Sequence, residues 1–125
     1  MNDPRLGGLD ADLIRNTLLD AAVIAATRTL PRFRSGLAVD NKDAAGFDPV
    51  TEADRDAELA IRELLGQRFP DHAIIGEEWD DKAGTGRFAW IIDPIDGTRA
   101  FITRVPVWGT LIGLNADGRA VAGLM

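Results

Sequence analysis

The chain of 125 residues has the size of one ordinary domain, and its hydrophobic content of 46% is sufficient for a core, which excludes global disorder. Its 20 acidic and 14 basic residues give a formal charge of −6 without a basic run, and this balance disfavours a nucleic-acid partner. The absence of cysteine excludes thiol chemistry and the single histidine disfavours zinc, whereas abundant carboxylate oxygens suit Mg²⁺, Mn²⁺ or Ca²⁺.

Two long helices are predicted in the first half of the chain. The first has Asp10 as a plausible N-cap, follows a helical apolar stripe and ends before Pro31. The second begins at Thr51-Glu52-Ala53-Asp54, a capping-box pattern, and ends before Pro70. Between them, residues 36–39 could form a short strand.

Strand patterns dominate the second half of the chain. They cover residues 73–76, 88–92, 107–114 and 120–124. Asp117-Gly118 predicts a hairpin between the last two, and His72, in a polar loop, is expected at the surface. Together these elements predict a layered α/β fold of the α+β type. Its two long helices pack on a mainly antiparallel sheet, and the site lies at the strand ends.

An apolar strand, a turn with two carboxylates and a short helix pattern follow one another over residues 90–101. Asp93 and Asp96 are separated by a proline that favours a turn, so both side chains can face one side of the strand end. Gly97 permits a close backbone approach, and Thr98 offers a hydroxyl at a helix N-terminus. A metal-assisted phosphoryl reaction requires such groups, because cations neutralise phosphate oxygens and lower the pKa of a bound water.

Each candidate residue also has an explanation without chemistry. The Asp-Pro-x-Asp-Gly pattern is a good β-turn, and the turn alone leaves the two interpretations evenly balanced. Glu77-Glu78 is commonly a solvated pair after a strand, a capping box accounts for Asp54, and Lys42 is more often a solvated loop residue. A haloacid-dehalogenase-type nucleophile fits poorly, because that class has its second aspartate two positions after the first, and here the spacing is three.

Three ordered motifs together resemble the inositol monophosphatase family of the fructose-1,6-bisphosphatase-like superfamily. They are DPVTEAD at residues 48–54, IGEE at residues 75–78 and WIIDPIDGT at residues 90–98. Within the family, residues 97–111 look most like the histidinol-phosphatase branch, since inositol-specific members more often have asparagine in place of Ala100. Arg104 is a departure, because that branch usually has glycine there.

The resemblance implies a role for eight residues of this chain. The implied metal ligands are Glu77, Asp93, Asp96 and the backbone carbonyl of Ile95, and the implied cation is Mg²⁺. The implied catalytic residues, which activate the attacking water, are Asp54, Thr98 and Glu77. The implied substrate-binding residues are Asp96, Gly97, Thr98 and Lys42.

The resemblance also implies an activity for the intact protein. It covers about residues 10–125, so residues 1–125 are expected to be the N-terminal part of a phosphatase whose C-terminal half is absent. The implied reaction is magnesium-dependent hydrolysis of a phosphate monoester by a metal-activated water. Histidinol phosphate, an intermediate of histidine biosynthesis, is the expected substrate. Inositol-1-monophosphatase and 3'(2'),5'-bisphosphate nucleotidase activities are the alternatives.

A further metal-binding aspartate and much of the family's substrate pocket come from the C-terminal half. We therefore expect the chain alone to be weak or inactive. A non-catalytic cation-binding or oligomerisation module is the alternative from another class. We expect a cytoplasmic protein that does not bind a membrane, since no signal peptide or membrane-spanning stretch is seen. We further expect the intact protein to be a homodimer that takes a small phosphorylated metabolite and does not bind nucleic acid.

Overall fold

The computed structural model of the protein describes residues 1–34, 39–41 and 49–125, and for residues 39–41 and 49–51 it describes the backbone alone. The α-helices of this part are α1 (Ala11–Thr29), α2 (Glu52–Arg68) and α3 (Thr98–Ile102). Its strands are β1 (Val39–Asn41), β2 (Pro49–Thr51), β3 (Ala73–Gly76), β4 (Phe88–Asp96), β5 (Gly109–Ala116) and β6 (Arg119–Leu124). Two short 3-10 turns, Pro4–Leu6 and Leu30–Arg32, flank α1.

The ends of the two long helices lie where the sequence predicts them. The Asp10 side chain accepts a hydrogen bond from the backbone N–H of Leu13 at 2.9 Å, which confirms the predicted N-cap of α1. α2 begins at Glu52 and ends two residues before Pro70. The side chain of Thr51 lies outside the described part, so the capping box remains a prediction. Within the described residues, none of the helices has the length and apolar character required to cross a bilayer.

The main core lies between α1, α2 and one face of the sheet. α1 packs against α2 and both helices contact strands, so the molecule has the predicted layered arrangement. The core residues of the helices are Ile14, Leu18, Ala21, Ala25, Ile61, Leu65 and the adjoining Phe69. Those of the sheet are Ile74, Trp90, Ile92, Ile112 and Leu114.

The main sheet has the strand order β3-β4-β5-β6 and is mainly antiparallel, as predicted. β3 and β4 are parallel, whereas β4 with β5 and β5 with β6 are antiparallel. Asp117 (φ 51°) and Gly118 (φ 78°) form the predicted hairpin turn. Because β3 and β4 are parallel, their carboxyl ends lie at the same edge of the sheet, with Gly76 opposite Ile92.

β4 differs from its prediction, since it continues to Asp96 instead of ending at Ile92. Asp93 lies opposite Leu111 and Asp96 opposite Gly109, so β4 has one more residue than β5 in this interval. Such an extra residue is a β-bulge. Pro94 explains it, because proline has no N–H to donate to a regular ladder. The predicted turn is therefore a bulged strand end.

The predicted surface position of His72 is wrong, since only 9% of this residue is exposed. Its ring stacks on Phe69 at a centroid distance of 4.6 Å and lies 4.8 Å from Phe88. The indole Nε1–H of Trp90 donates a hydrogen bond to His72 Nδ1 at 3.0 Å. Two of these three partners come from a distant strand, so the polar local sequence could not indicate the burial.

Candidate active site

Acidic side chains meet at the edge of the sheet where β3 and β4 end. Glu77 follows the last residue of β3, and Asp93 lies one residue beyond Ile92, the partner of that last residue in β4. The two glutamates after β3 and the two aspartates of the bulged strand end therefore face one region. Asp54, from the first turn of α2, completes the group.

Asp54 is buried, with only 4% of the residue exposed. Burial raises the pKa of its carboxyl to about 7, and the neighbouring charges of Glu78, Asp93 and Glu77 raise it further in that order. Electrostatic coupling to Asp93 and Glu77 places Asp54 in the same cluster as two of the predicted metal ligands. A carboxyl whose pKa is near neutrality is suited to exchange a proton with water.

Asp93 is half-buried at the bulged strand end. Burial raises the pKa of its carboxyl to about 6, with further increases from the charges of Glu77 and Asp96, whereas a hydrogen bond from the backbone of Ile95 lowers it. Concentrated negative charge of this kind favours a bound cation, which would reverse the local electrostatic effect.

The second part of the site is the junction between β4 and α3. Gly97 has φ 83°, and a Cβ atom there would lie 3.0 Å from the carbonyl oxygen of Val107, so both conformation and space favour glycine. The Thr98 hydroxyl donates a hydrogen bond to the Ile95 carbonyl at 3.1 Å. A carbonyl oxygen has two lone pairs, so Ile95 keeps one acceptor position for a cation. Asp96 is exposed at this junction.

A small apolar cluster supports this junction from beneath. The side chains of Ile95 and Phe101 are buried against Ala53 at the start of α2. Phe101 also makes an edge-on contact with Trp108 at 4.9 Å. The cluster thereby fixes α3 and the end of β4 relative to the helix that carries Asp54.

Two further polar residues of the site, Glu58 and Arg62 of α2, were missed by the sequence analysis. Glu58 is fully buried and accepts hydrogen bonds from the backbone N–H groups of Glu78 and Trp79. Arg62 donates to Glu58 at 3.0 Å. The sequence contains one indication of this role. Glu58 lies four residues after Asp54, so both fall on the face of α2 that also carries buried apolar residues, and a glutamate there requires a polar partner.

The donor set fits a hard divalent cation, because it consists of carboxylate and carbonyl oxygens. Within the described residues, no three acidic or imidazole side chains are grouped closely enough to enclose a metal ion. Mg²⁺ normally keeps several waters and takes part of its shell from substrate phosphate, so an open arrangement of protein donors is compatible with it. Lys42, the remaining predicted site residue, lies outside the described residues.

Comparison with known proteins agrees with this architecture. Residues 10–125 match the model of the inositol monophosphatase family. A histidinol-phosphatase of Chlorobaculum parvum is 51% identical over 62% of this chain and 30% of its own length. A histidinol-phosphatase of Mycobacterium tuberculosis is 40% identical over 86% of this chain and 42% of its own length. These relatives confirm the predicted similarity to the histidinol-phosphatase branch.

A solved structure shares the fold. The inositol monophosphatase from Zymomonas mobilis superposes with a TM-score of 0.70 and 44% identity, over 92% of this chain and 44% of that one. The chain thus spans less than half the length of the relatives that it matches. The family match extends over most of the chain and includes the residues of all three motifs. The chain is therefore a member of the inositol monophosphatase family.

Proposed function

We propose that the intact protein hydrolyses a phosphate monoester with Mg²⁺ and that its substrate is histidinol phosphate. The observation that carries this proposal is the meeting of acidic side chains from the residues after β3, from β4 and from α2 at one edge of the sheet. Such a concentration of hard oxygen donors is stable only with a compensating cation or with protons. The names of the two histidinol-phosphatase relatives support the choice of substrate.

The residues proposed to hold Mg²⁺ are Glu77, Asp93, Asp96 and the carbonyl oxygen of Ile95. When bound, the cation would neutralise phosphate charge and favour deprotonation of water. The positions of Glu77 and Asp93 beside each other at the ends of parallel strands support this assignment. So does the mutual effect of the carboxylates on the pKa of Asp93.

The proposed catalytic residues are Asp54, Thr98 and Glu77. Asp54 would accept a proton from the attacking water, and its pKa of about 7 in the metal-free protein supports a role in proton transfer near neutral pH. Thr98 would orient that water through its hydroxyl oxygen, while the hydroxyl proton is donated to Ile95 as observed. Glu77 would orient the same water through its carboxylate.

The phosphate group is proposed to contact Asp96, Gly97, Thr98 and Lys42, with Asp96 acting through the shared cation. The position of Gly97 as the N-cap of α3 supports this assignment, because no side chain caps the first N–H groups of that helix. Lys42 would neutralise part of the phosphate charge.

The proposal distinguishes the intact protein from residues 1–125 alone. We propose weak or no activity for this chain in isolation, and a cytoplasmic homodimer for the intact protein. Inositol-1-monophosphatase and bisphosphate nucleotidase activities are the alternative specificities. A cation-binding or oligomerisation module without catalysis is the alternative from another class. The acidic cluster is also compatible with cation binding that is not coupled to catalysis.

A substrate panel tests the proposal. Full-length protein and the 125-residue chain would be assayed for phosphate release from histidinol phosphate, inositol 1-phosphate and 3'-phosphoadenosine 5'-phosphate, with Mg²⁺ and with EDTA. We expect Mg²⁺-dependent release from histidinol phosphate by the full-length protein only, and its loss in Asp93→Asn. Preference for another substrate would refute the substrate assignment, and absence of any release would favour the non-catalytic module.

A further inference from the structure

We propose that Glu58 and Arg62 are positioning residues that fix the backbone of residues 77–80. Their effect is to hold the two glutamates of that segment beside Asp54 and Asp93. The inference goes beyond the ligands and catalytic groups already assigned, and it rests on the proposed function only in that the acidic group binds a cation.

Residues 77–80 follow β3 and belong to neither a helix nor a strand. Their backbone is bonded instead to α2, about twenty residues earlier in the chain. The Glu58 carboxylate accepts the N–H of Glu78 through Oε1 at 3.2 Å and the N–H of Trp79 through Oε2 at 3.0 Å. Hydrogen bonds to a charged acceptor are among the stronger ones in proteins.

Arg62 completes this contact on the carbonyl side of the segment. Its Nε donates to Glu58 Oε2 at 3.0 Å, and its two terminal nitrogens donate to the carbonyls of Asp80 at 2.8 Å and Trp79 at 3.0 Å. The guanidinium therefore joins the carboxylate and the loop in one network, a geometry that the single ammonium of lysine cannot reproduce.

Two further contacts restrict the same segment. The indole N–H of Trp79 donates to the carbonyl of Arg55 at 2.9 Å, again on α2. A Cβ atom added to Gly76 would lie 2.5 Å from the Glu58 carboxyl carbon, so only glycine leaves room for the carboxylate. The indole bond thus anchors the segment one turn before Glu58 on α2, and the space beside Gly76 is filled by the Glu58 carboxylate.

The hydrogen-bond network holds the negative charges of Glu77 and Glu78 close to the carboxyl of Asp54. Glu77 and Glu78 both raise the pKa of Asp54, so the loop is held where its negative charges repel a carboxylate of the helix. A buried ion pair is costly to break but adds little net stability relative to apolar residues of the same volume, which favours a positioning role for Glu58 and Arg62.

The test compares Glu58→Gln and Arg62→Lys with the wild type, all as full-length protein. Glu63→Gln is the control, because Glu63 is an exposed residue of α2. The first measurement is amide hydrogen exchange at Glu78 and Trp79 by NMR, with Ile92 in the sheet core as the reference for global opening. The second is the dissociation constant of Mn²⁺, a probe for the divalent cation, from the paramagnetic resonance signal of free Mn²⁺.

We expect exchange at the Glu78 and Trp79 amides to become at least about ten-fold faster in Glu58→Gln while Ile92 is unchanged, since the amide nitrogen cannot accept a second N–H. We expect Mn²⁺ affinity to fall by about 10- to 100-fold, as for other residues that orient metal ligands. Arg62→Lys should show both effects to a smaller degree and serves alone if Glu58→Gln does not fold.

Unchanged loop exchange in both variants would overturn the proposal, as would wild-type Mn²⁺ affinity in a variant whose loop exchange is accelerated. If the full-length wild-type protein itself binds no Mn²⁺, the proposed function fails. The exchange comparison then decides separately whether Glu58 and Arg62 fix the loop.

Discussion

Replacing Gly76 with alanine should strongly destabilise the protein, although alanine normally suits a strand better than glycine does. The new methyl group would lie 2.5 Å from the Cδ atom of Glu58 and would have to displace its fully buried carboxylate. Displacement breaks the hydrogen bonds from the N–H groups of Glu78 and Trp79, at 3.2 and 3.0 Å. A hydrogen bond to a charged group contributes about 1.5–3 kcal/mol.

Loss of both bonds, with partial relaxation of the loop, predicts a decrease of about 3 kcal/mol in the free energy of unfolding. For a domain of this size, that corresponds to a decrease of about 10 °C in Tm. The assay is urea unfolding followed by tryptophan fluorescence, with the free energy obtained by linear extrapolation.

Gly66→Ala is the matched control, because Gly66 lies in α2 and an added Cβ atom would meet no atom within 4 Å. Helix propensity predicts that this variant is more stable by about 1 kcal/mol. The double variant Gly76→Ala/Glu58→Ala should lose less stability than the sum of its two single variants, since the clash is absent. A Gly76→Ala protein within about 0.5 kcal/mol of the wild type, or strictly additive effects, would refute the reasoning.

Two further predictions concern backbone conformation and the buried histidine. Arg104 has φ 68°, and its carbonyl accepts hydrogen bonds from the Arg34 side chain that a glycine would keep. Glycine adopts this left-handed conformation without strain, and the relief of strain should outweigh the added freedom of the unfolded chain. Arg104→Gly should therefore increase the free energy of unfolding by about 0.5–1 kcal/mol and raise the urea midpoint. A lower midpoint would contradict this account. His72 has a lowered pKa because of burial and then the charge of Lys82, so the folded state favours the neutral ring. Its contribution to stability is therefore complete above the unfolded pKa of 6.5 and is lost as the pH falls below that value. The difference in urea midpoint between wild type and His72→Gln should accordingly shrink between pH 7.5 and pH 5, and a constant difference would exclude the effect.

The sequence predicted those features that depend on neighbouring residues. The Asp10 cap and the Asp117-Gly118 turn are set by a few adjacent positions, and both are found in the structure. The strand after Pro70 was likewise recognisable from its apolar run, since β3 covers the predicted residues. The order of the three motifs was sufficient to identify the family.

The features that the sequence did not predict depend on contacts between distant segments. The burial of His72 requires Phe88 and Trp90, which reach it only after β3 and β4 have paired. Glu58 cannot be distinguished from an exposed helix glutamate by its sequence neighbours, because its partners are the N–H groups of Glu78 and Trp79 in the loop after β3. The bulge at Pro94 could not be distinguished from a turn, because proline and glycine favour both.

Cation binding at the sheet edge should depend on pH, because a cation must compete there with protons. The carboxyls of Asp54 and Asp93 have pKa values raised to about 7 and about 6 in the metal-free protein, so both bind protons in the range where an ordinary aspartate does not. Affinity for Mn²⁺ should thus rise with pH and become constant above about pH 7.5, with a decrease of up to about ten-fold per pH unit for each proton displaced. Titrations at pH 5.5, 6.5, 7.5 and 8.5 measure the slope. Asp54→Asn removes the proton with the higher pKa, so its affinity should become constant at a lower pH than that of the wild type. A wild-type affinity independent of pH in this range would show that the cation does not displace these protons and would contradict the assignment of the acidic cluster as its site.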